Sequence, residues 1–195
     1  SRVVVLAGGT SSERAVSLSG GRAVSAALIQ RGFHVAWLDP AEQPVDSFPW
    51  RQGDVAFLVL HGEFGEDGQV QKLLEQQGVP YTGSDAAASE LAYSKTGSKE
   101  RFRQHHVPTP ASVVIHLTDA KDLLRQRALA LGFPLVVKPD TQGSSLGVSV
   151  VFDETQLAAA LSRCFALDSF GLMEAYVAGT EWTVGLWDAR PLPAI

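Results

Sequence analysis

The sequence has little of several residue types, and each shortage argues against a class of protein. Cys164 is the one cysteine in 195 residues, so no disulfide can form within the chain, which fits a reducing compartment. Lys and Arg number 16 against 21 Asp and Glu, and the net charge of −5 argues against a nucleic-acid partner. No apolar run approaches the length of a membrane span. We therefore expect a cytoplasmic protein with no nucleic-acid or membrane partner.

Several common site motifs are missing as well. No Cys and His residues stand at zinc-ligand spacing, and no Ser-His-Asp set accompanies a G-x-S-x-G turn. The G-x-G-x-x-G fingerprint is absent, which disfavours a dinucleotide-dependent oxidoreductase. What remains is ordinary globular composition, with 45% hydrophobic and 19% charged residues.

The first half of the chain alternates strand and helix patterns. Apolar runs at 3–6, 34–38 and 55–60 predict strands, and the third run is wholly apolar, which predicts burial on both faces. A helix between the first two is predicted to bury one apolar face and to end at Gly32; that face comprises Ala23, Val24, Ala27 and Leu28. This order is typical of a doubly wound parallel α/β sheet, which we assign to an N-terminal domain of residues 1–94.

Residues 95–177 show an α+β pattern and are predicted to form a central domain. A polar helix covers 95–106, a strand covers 111–116, and Thr118 is expected to cap a helix that ends at Gly132. A further helix buries a stripe that includes Cys164, followed by strands at 172–177 and 183–187. Residues 178–195 would begin a third domain, and we expect more protein beyond residue 195.

A hairpin within the central domain carries the clearest chemical signal. Two β-branched runs flank a loop in which Gly143 and Gly147 permit backbone angles that other residues avoid. Such a loop can direct backbone N–H groups inward, and Ser144 and Ser145 add hydroxyl donors. Lys138 adds a positive charge at the root of the loop. The pattern indicates a flap over nucleotide phosphates, although a Gly-Ser loop alone is also compatible with a mobile hairpin tip.

Four other polar segments are predicted to converge on this hairpin. Glu13 and His61 follow the first and third strands, and the carboxyl ends of parallel strands meet at one edge of the sheet. The carboxylate of Glu13 suits an ammonium group, although a simple helix start also explains its segment. Lys95 opens the polar helix. Glu174 and Glu181 flank a connection that suits an adenine edge and ribose hydroxyls, or that is merely a linker.

Four motifs of the chain resemble the D-alanine:D-alanine ligases, ATP-grasp enzymes of bacterial cell-wall synthesis. In chain order the motifs are GGTSSERAVSL at 8–18, HGEFGEDGQVQ at 61–71, PYTGS at 80–84 and KPDTQGSSLG at 138–147. The first two motifs together are far more specific than either alone, and the resemblance runs through all 195 residues.

The resemblance implies a fold, a reaction and roles for particular residues. ATP would phosphorylate the carboxylate of one D-alanine, and the amino group of a second would displace phosphate from the D-alanyl phosphate, giving a peptidoglycan precursor. Glu13 would bind the ammonium of the first substrate, with Ser144 bonded to it and His61 nearby; Glu13 and Ser144 are the implied catalytic residues. The implied ATP contacts are Lys95, Lys138, Ser144, Ser145, Glu174, Ala175, Val177 and Glu181.

The resemblance also implies what the segment lacks. The Mg²⁺ (or Mn²⁺) ligands would lie beyond residue 195, with no metal site in this segment, and the chain alone is expected to be inactive. A homodimer is common among such ligases. Tyr93-Ser94 stands before Lys95 where the family commonly has Met-Asp, and Ala175 stands where a lysine is frequent. A D-alanine:D-lactate or D-alanine:D-serine ligase, or a non-catalytic nucleotide-binding module, are the alternatives.

Overall fold

A computed structural model describes residues 2–195 of the protein, which contain two larger β-sheets that follow each other along the chain and a third, two-stranded sheet after them. The elements of the first part are β1 (Arg2–Leu6), α1 (Arg14–Gln30), β2 (His34–Leu38), β3 (Val55–Leu58), α2 (Gln69–Gln76) and α3 (Ala86–Tyr93). Those of the second part are α4 (Lys95–Gln104), β4 (Ser112–His116), α5 (Lys121–Leu131), β5 (Leu135–Pro139), β6 (Ser149–Val151), α6 (Leu157–Phe165), β7 (Phe170–Ala175), β8 (Leu186–Trp187) and β9 (Arg190–Pro191).

The first sheet is parallel, in the order β2-β1-β3, as the alternating pattern predicts. Central strand β1 is buried on both faces: Val4 and Leu6 pack with Val70 and Leu74 of α2, while Gly21 of α1 lies against Ala7, just beyond the strand. Strand β3 ends at Leu58 rather than at residue 60, and only Ala56 in it is fully buried. The expectation of burial on both faces is therefore wrong for β3, which ends the strand order and is joined to Tyr81 by an isolated bridge at Ala56.

The predicted apolar face of α1 is partly wrong. Ser17 and Gly21 are the buried residues of this helix, whereas Ala23 and Ala27 are exposed. The reason is close packing: a Cβ on Gly21 would lie 2.4 Å from the Cβ of Ala7. The hydroxyl of Ser17 donates to the carbonyl of Val59 and accepts from the N–H of Gly8, so a polar residue is satisfied in the core.

The second sheet is antiparallel, in the order β4-β7-β5-β6, and β5 and β6 form the predicted hairpin. Helices α5 and α6 cover one face, where Leu135 and Val137 of β5 are fully buried together with Cys164 of α6. Because side chains alternate along a strand, Val136 and Lys138 point to the opposite face. That face lines the cleft described below.

The starts of α5 and of the turn before α6 differ in whether a side chain caps them. Thr118 does not cap α5, which begins at Lys121 after Ala120 and has no side-chain cap; this prediction is wrong. A short 3₁₀ turn, Glu154–Gln156, precedes α6, and Asp153 caps this turn by accepting from the N–H of Thr155.

At the C-terminal end of the described residues, β8 and β9 pair as a hairpin of two-residue strands. Strand β8 is therefore shorter than the strand predicted at 183–187. Within residues 2–195, no helix combines the length and the apolar character that crossing a bilayer requires. The division into domains at 94/95 and 177/178 stays a prediction.

Candidate functional site

The hairpin loop has an unusual backbone that differs from the predicted one. Ser144 and Ser145 have positive φ angles of 49° and 58°, and Gly147 has one of 73°, whereas Gly143 has none. The prediction that Gly143 and Gly147 supply the special angles is therefore correct for Gly147 and wrong for Gly143. Two serines adopt the left-handed conformation instead, which non-glycine residues rarely do and which is concentrated at functional sites.

One side-chain contact connects this loop to the first sheet. The hydroxyl of Ser144 donates to Oε1 of Glu13 over 2.6 Å, across 131 residues of sequence. The other carboxylate oxygen of Glu13 lies near Gly62 and Gly143, at 3.3 and 3.7 Å from where a Cβ on each would stand. Glu13 does not use its side chain to cap α1. Its carboxylate therefore lies where the hairpin meets the strand-end loops.

The loops after β1 and β3 lie side by side, as the parallel sheet predicts. Ser11 donates through its hydroxyl to the carbonyl of His61 over 2.7 Å. The imidazole of His61 lies 3.5 Å from Oε1 of Glu66, and Oε2 of the same carboxylate accepts from the N–H of Gly62. His61 is thus one residue away from the glycine that faces Glu13.

A cleft of about 490 Å³ opens between the hairpin, the face of the second sheet and the segment after β7. All eight residues predicted to contact nucleotide line it: Lys95, Lys138, Ser144, Ser145, Glu174, Ala175, Val177 and Glu181. Apolar walls are supplied by Val136, Val148 and Val150. Glu13 and His61 are not among the lining residues, and Glu13 reaches the cleft through Ser144.

Lys95 is held at the root of the hairpin by main-chain acceptors. Its ammonium donates to the carbonyls of Asp140 and Gln142 over 3.1 and 2.6 Å. Burial lowers the pKa of Lys95, and the nearby charge of Asp140 offsets part of this shift. Lys95 therefore lies at the base of the hairpin and is half-buried.

Sequence reasoning missed Asp140, a buried carboxylate that fixes the start of α4. It accepts from the hydroxyl of Ser94 over 2.8 Å and from the N–H of Thr96 over 2.7 Å. Ser94 itself caps α4 by accepting from the N–H of Gly97. The sequence signal available was a carboxylate two residues after Lys138, in a segment otherwise suited to phosphate.

Glu174 has both carboxylate oxygens engaged by lysines. Lys138 donates to Oε1 over 2.9 Å, and Lys99 donates to Oε2 over 2.6 Å. Burial opposes ionisation of Glu174, but the two lysines outweigh it and hold the pKa below its usual value. Lys99 was also missed, although it lies four residues after Lys95 and so on the same face of a helix.

A second, more polar cleft of about 630 Å³ lies between the two sheets and includes Glu63, Asp67, Tyr93 and Asp168 in its lining. Burial, together with several surrounding carboxylates, raises the pKa of Tyr93 to about 12. Among residues 2–195, no group of three or more His, Cys, Asp or Glu side chains is arranged to hold a metal ion.

The chain is similar to known proteins over its whole length. Two family models match it: "D-ala D-ala ligase N-terminus" at residues 36–84 and "D-ala D-ala ligase C-terminus" at residues 104–194. The D-alanine–D-alanine ligase of Syntrophotalea carbinolica is 42% identical over 198 residues, and that of Pelobacter propionicus is 43% identical over 195. Each match covers 100% of this chain and 62% of the relative.

Solved structures agree with these matches. The D-alanine–D-alanine ligase of Bacillus anthracis has a TM-score of 0.85 and 35% identity, covering 99% of this chain and 63% of that one. The same ligase complexed with ATP has a TM-score of 0.83 and 33% identity, covering 99% and 64%. The chain thus spans a little over three fifths of the length of these relatives. Because both family models match it in order over more than half of its length, the chain belongs to the D-ala D-ala ligase family, which has the ATP-grasp fold.

Proposed function

We propose that this chain is the ATP-binding and first-substrate-binding part of a ligase that joins two D-alanines through a D-alanyl phosphate. The observation that carries the proposal is the bond between Ser144 and Glu13. It brings a carboxylate from the first sheet to the tip of a hairpin whose root holds two lysines. An amino acid beside Glu13 would therefore lie next to nucleotide phosphates in the cleft.

The cleft suits ATP in charge and in shape. Lys95 and Lys138 supply positive charge for phosphates, and the left-handed turn at Ser144 and Ser145 can present backbone N–H groups to them. The adenine and ribose would occupy the end lined by Glu174, Ala175, Val177 and Glu181, beside apolar Val136, Val148 and Val150. A relative of similar fold was solved as a complex with ATP.

The first D-alanine would be held by opposite charges. The carboxylate of Glu13 suits its ammonium group, and the Ser144 hydroxyl orients that carboxylate. His61 lies in the adjacent loop, where it would form part of the same wall. When bound, ATP supplies the phosphoryl group that activates the substrate carboxylate. The residues of this chain contribute position and fixed charge, on which phosphoryl transfer chiefly depends.

The wider proposal covers the requirements of the whole protein. From the resemblance we propose that Mg²⁺ or Mn²⁺ is bound by residues of the longer protein outside this segment, and no step here is assigned to the metal. Peptidoglycan precursor synthesis in the cytoplasm and a homodimeric state are proposed from the resemblance to D-alanine–D-alanine ligases. The names of the relatives favour D-alanine over D-lactate or D-serine as second substrate.

Equilibrium binding to the 195-residue chain tests the proposal. Glu13→Gln should weaken D-alanine binding by roughly tenfold or more, because a neutral amide loses the charge-assisted bond, and should leave ATP binding within about twofold. Lys138→Met should do the reverse. Glu90→Gln, an exposed carboxylate on α3, is the matched control.

The proposal is contradicted if the chain binds no ATP, or if Glu13→Gln binds D-alanine as tightly as the unmodified chain. In the longer protein, phosphate release with D-alanine alone, compared with added D-lactate or D-serine, identifies the second substrate. ATP binding with no phosphate release in that protein would favour the nucleotide-binding module.

A further inference from the structure

Lys99 is a buried lysine that the proposed reaction does not use. It lies on α4 with 5% of its surface exposed, and its ammonium has three acceptors. They are the hydroxyl of Thr109 at 2.7 Å, the carbonyl of Pro110 at 2.8 Å and Oε2 of Glu174 at 2.6 Å. Because an ammonium has three N–H donors, this set satisfies it completely. The geometry is that of a fixed charge rather than of a group that reaches a ligand.

Glu174 links this buried charge to the cleft. Its second oxygen accepts from Lys138, so one carboxylate stands between two lysines. The exposed fraction of the side chains rises in order along this row, from 6% for Lys99 through 12% for Glu174 to 20% for Lys138. Lys138 lines the cleft and Lys99 does not. The row therefore runs from the interior to the surface on which the phosphates are proposed to bind.

The charges of this row determine what the cleft presents to an anion. A pair of Lys138 and Glu174 alone would be neutral, and a carboxylate next to the phosphate site would repel phosphate. Lys99 balances that carboxylate from behind and leaves a net charge of one positive unit. We propose that Lys99 is a positioning residue which, by holding and neutralising Glu174, keeps Lys138 in place and leaves its positive charge uncancelled toward the phosphates of the nucleotide. This inference rests on the proposed function, since it needs ATP in the cleft.

The test compares the affinity of the chain for adenosine, ADP and ATP, which differ in the number of phosphates. Lys99→Met should weaken ATP binding by roughly tenfold, ADP binding by less and adenosine binding by no more than about twofold, because the lost charge acts on the phosphates. Lys99→Arg should retain most of the affinity for ATP, because it keeps the charge. Lys121→Met, at an exposed lysine that begins α5, is the control for the substitution itself.

The double variant Lys99→Met/Glu174→Gln supplies the decisive comparison. Removing both charges leaves Lys138 with its positive unit, so the ratio of ATP affinity to adenosine affinity should recover relative to Lys99→Met alone. The ratio is used because it cancels any contact of Glu174 with the adenine or ribose. If Lys99 were only a structural residue, the double variant would bind no better than the single one. Circular dichroism checks the folding of each variant, and the double variant and Lys99→Arg carry the test if Lys99→Met does not fold.

Three outcomes separate this inference from the proposed function. Absence of ATP binding by the unmodified chain overturns both. ATP binding that Lys99→Met leaves unchanged, or an equal loss for ATP and adenosine, overturns the inference alone. A phosphate-dependent loss that the double variant reverses supports both.

Discussion

Ser144 and Glu13 form a hydrogen bond of 2.6 Å that joins the hairpin loop to the loop after β1. It connects two parts of the chain whose hydrophobic cores have no residue in common. Ser144 also has a left-handed backbone conformation, with a φ angle of 49°. The residue that makes the contact is therefore one whose backbone conformation is rare.

Ser144→Ala should release the hairpin tip. The bond is exposed, so its loss is expected to cost about 1 kcal/mol and to accelerate amide exchange in residues 143–147 by several-fold. Hydrogen exchange followed by mass spectrometry measures this. Ser145→Ala is the control, because Ser145 also has a positive φ angle. Equal exchange in the tip of both variants would contradict a role for the Glu13 contact.

Asp140→Ala should destabilise the chain by about 2 kcal/mol, because it leaves the half-buried N–H of Thr96 and the hydroxyl of Ser94 without their acceptor. Urea denaturation provides the measurement. Asp140→Asn keeps one acceptor oxygen and should lose less. If the two variants were equally stable, loss of the acceptor oxygen would not explain the destabilisation at this position.

Cys164 should report global unfolding. It is fully buried, and burial raises the pKa of its thiol to about 11, so both access and thiolate formation are suppressed in the folded state. Labelling by a thiol reagent at pH 8 should be at least about 100-fold slower in the native chain than in urea-denatured chain. Cys164→Ala gives the background. Fast labelling without denaturant would show that α6 opens locally.

The contribution of the Cys164 thiol to the stability of the chain should decrease at alkaline pH. A thiol whose pKa is raised in the folded state contributes stability below its unfolded pKa of about 8.5, and this is lost as pH rises toward about 11. The difference in stability between the unmodified chain and Cys164→Ala should therefore shrink over that interval.

Asp39 should stabilise the chain in a pH-dependent way. Burial opposes its ionisation, but bonds from Arg14 and from the N–H groups of Gly9 and Ala41 outweigh burial and lower its pKa. A carboxyl with a lowered pKa contributes stability above its unfolded pKa, near 3.9, and loses it as pH falls through the folded value.

Asp39→Asn should accordingly cost about 2 kcal/mol at pH 7 and progressively less below about pH 4. Denaturant titrations at several pH values give both numbers. Glu42→Gln is the matched control, because Glu42 lies 3.8 Å from the same arginine but is 76% exposed. A cost for Asp39→Asn that did not change with pH would rule out the ionised carboxyl as its cause.

The sequence was most informative where spacing and alternation reflect the backbone directly. The parallel order of the first three strands and the β5–β6 hairpin are confirmed, and the stripe of α6 is buried as predicted. The eight residues predicted around nucleotide line one cleft. Local pattern alone pointed to Lys138, Ser144 and Ser145 at the hairpin, whereas Ala175 and Val177 were implied only by the family resemblance.

Sequence reasoning was wrong where tertiary contacts decide. Gly143 was assigned an angle that Ser144 and Ser145 adopt, and Ser144 is bonded to a residue 131 positions away. The buried face of α1 contains Ser17 and Gly21, which hydrophobic periodicity does not count. Lysine and aspartate are residue types that usually lie on the surface, and the burial of Lys99 and Asp140 follows only from their partners in the fold.

The arrangement of the hairpin has a consequence for the rate at which ligands exchange. The tip meets the first sheet through a solvent-exposed contact, whereas each hydrophobic core is complete within its own part of the chain. Molecules that enter or leave the cleft would need only the tip to swing aside, a motion on the nanosecond to microsecond scale of loops. Exchange of a bound ligand would then require neither hydrophobic core to open.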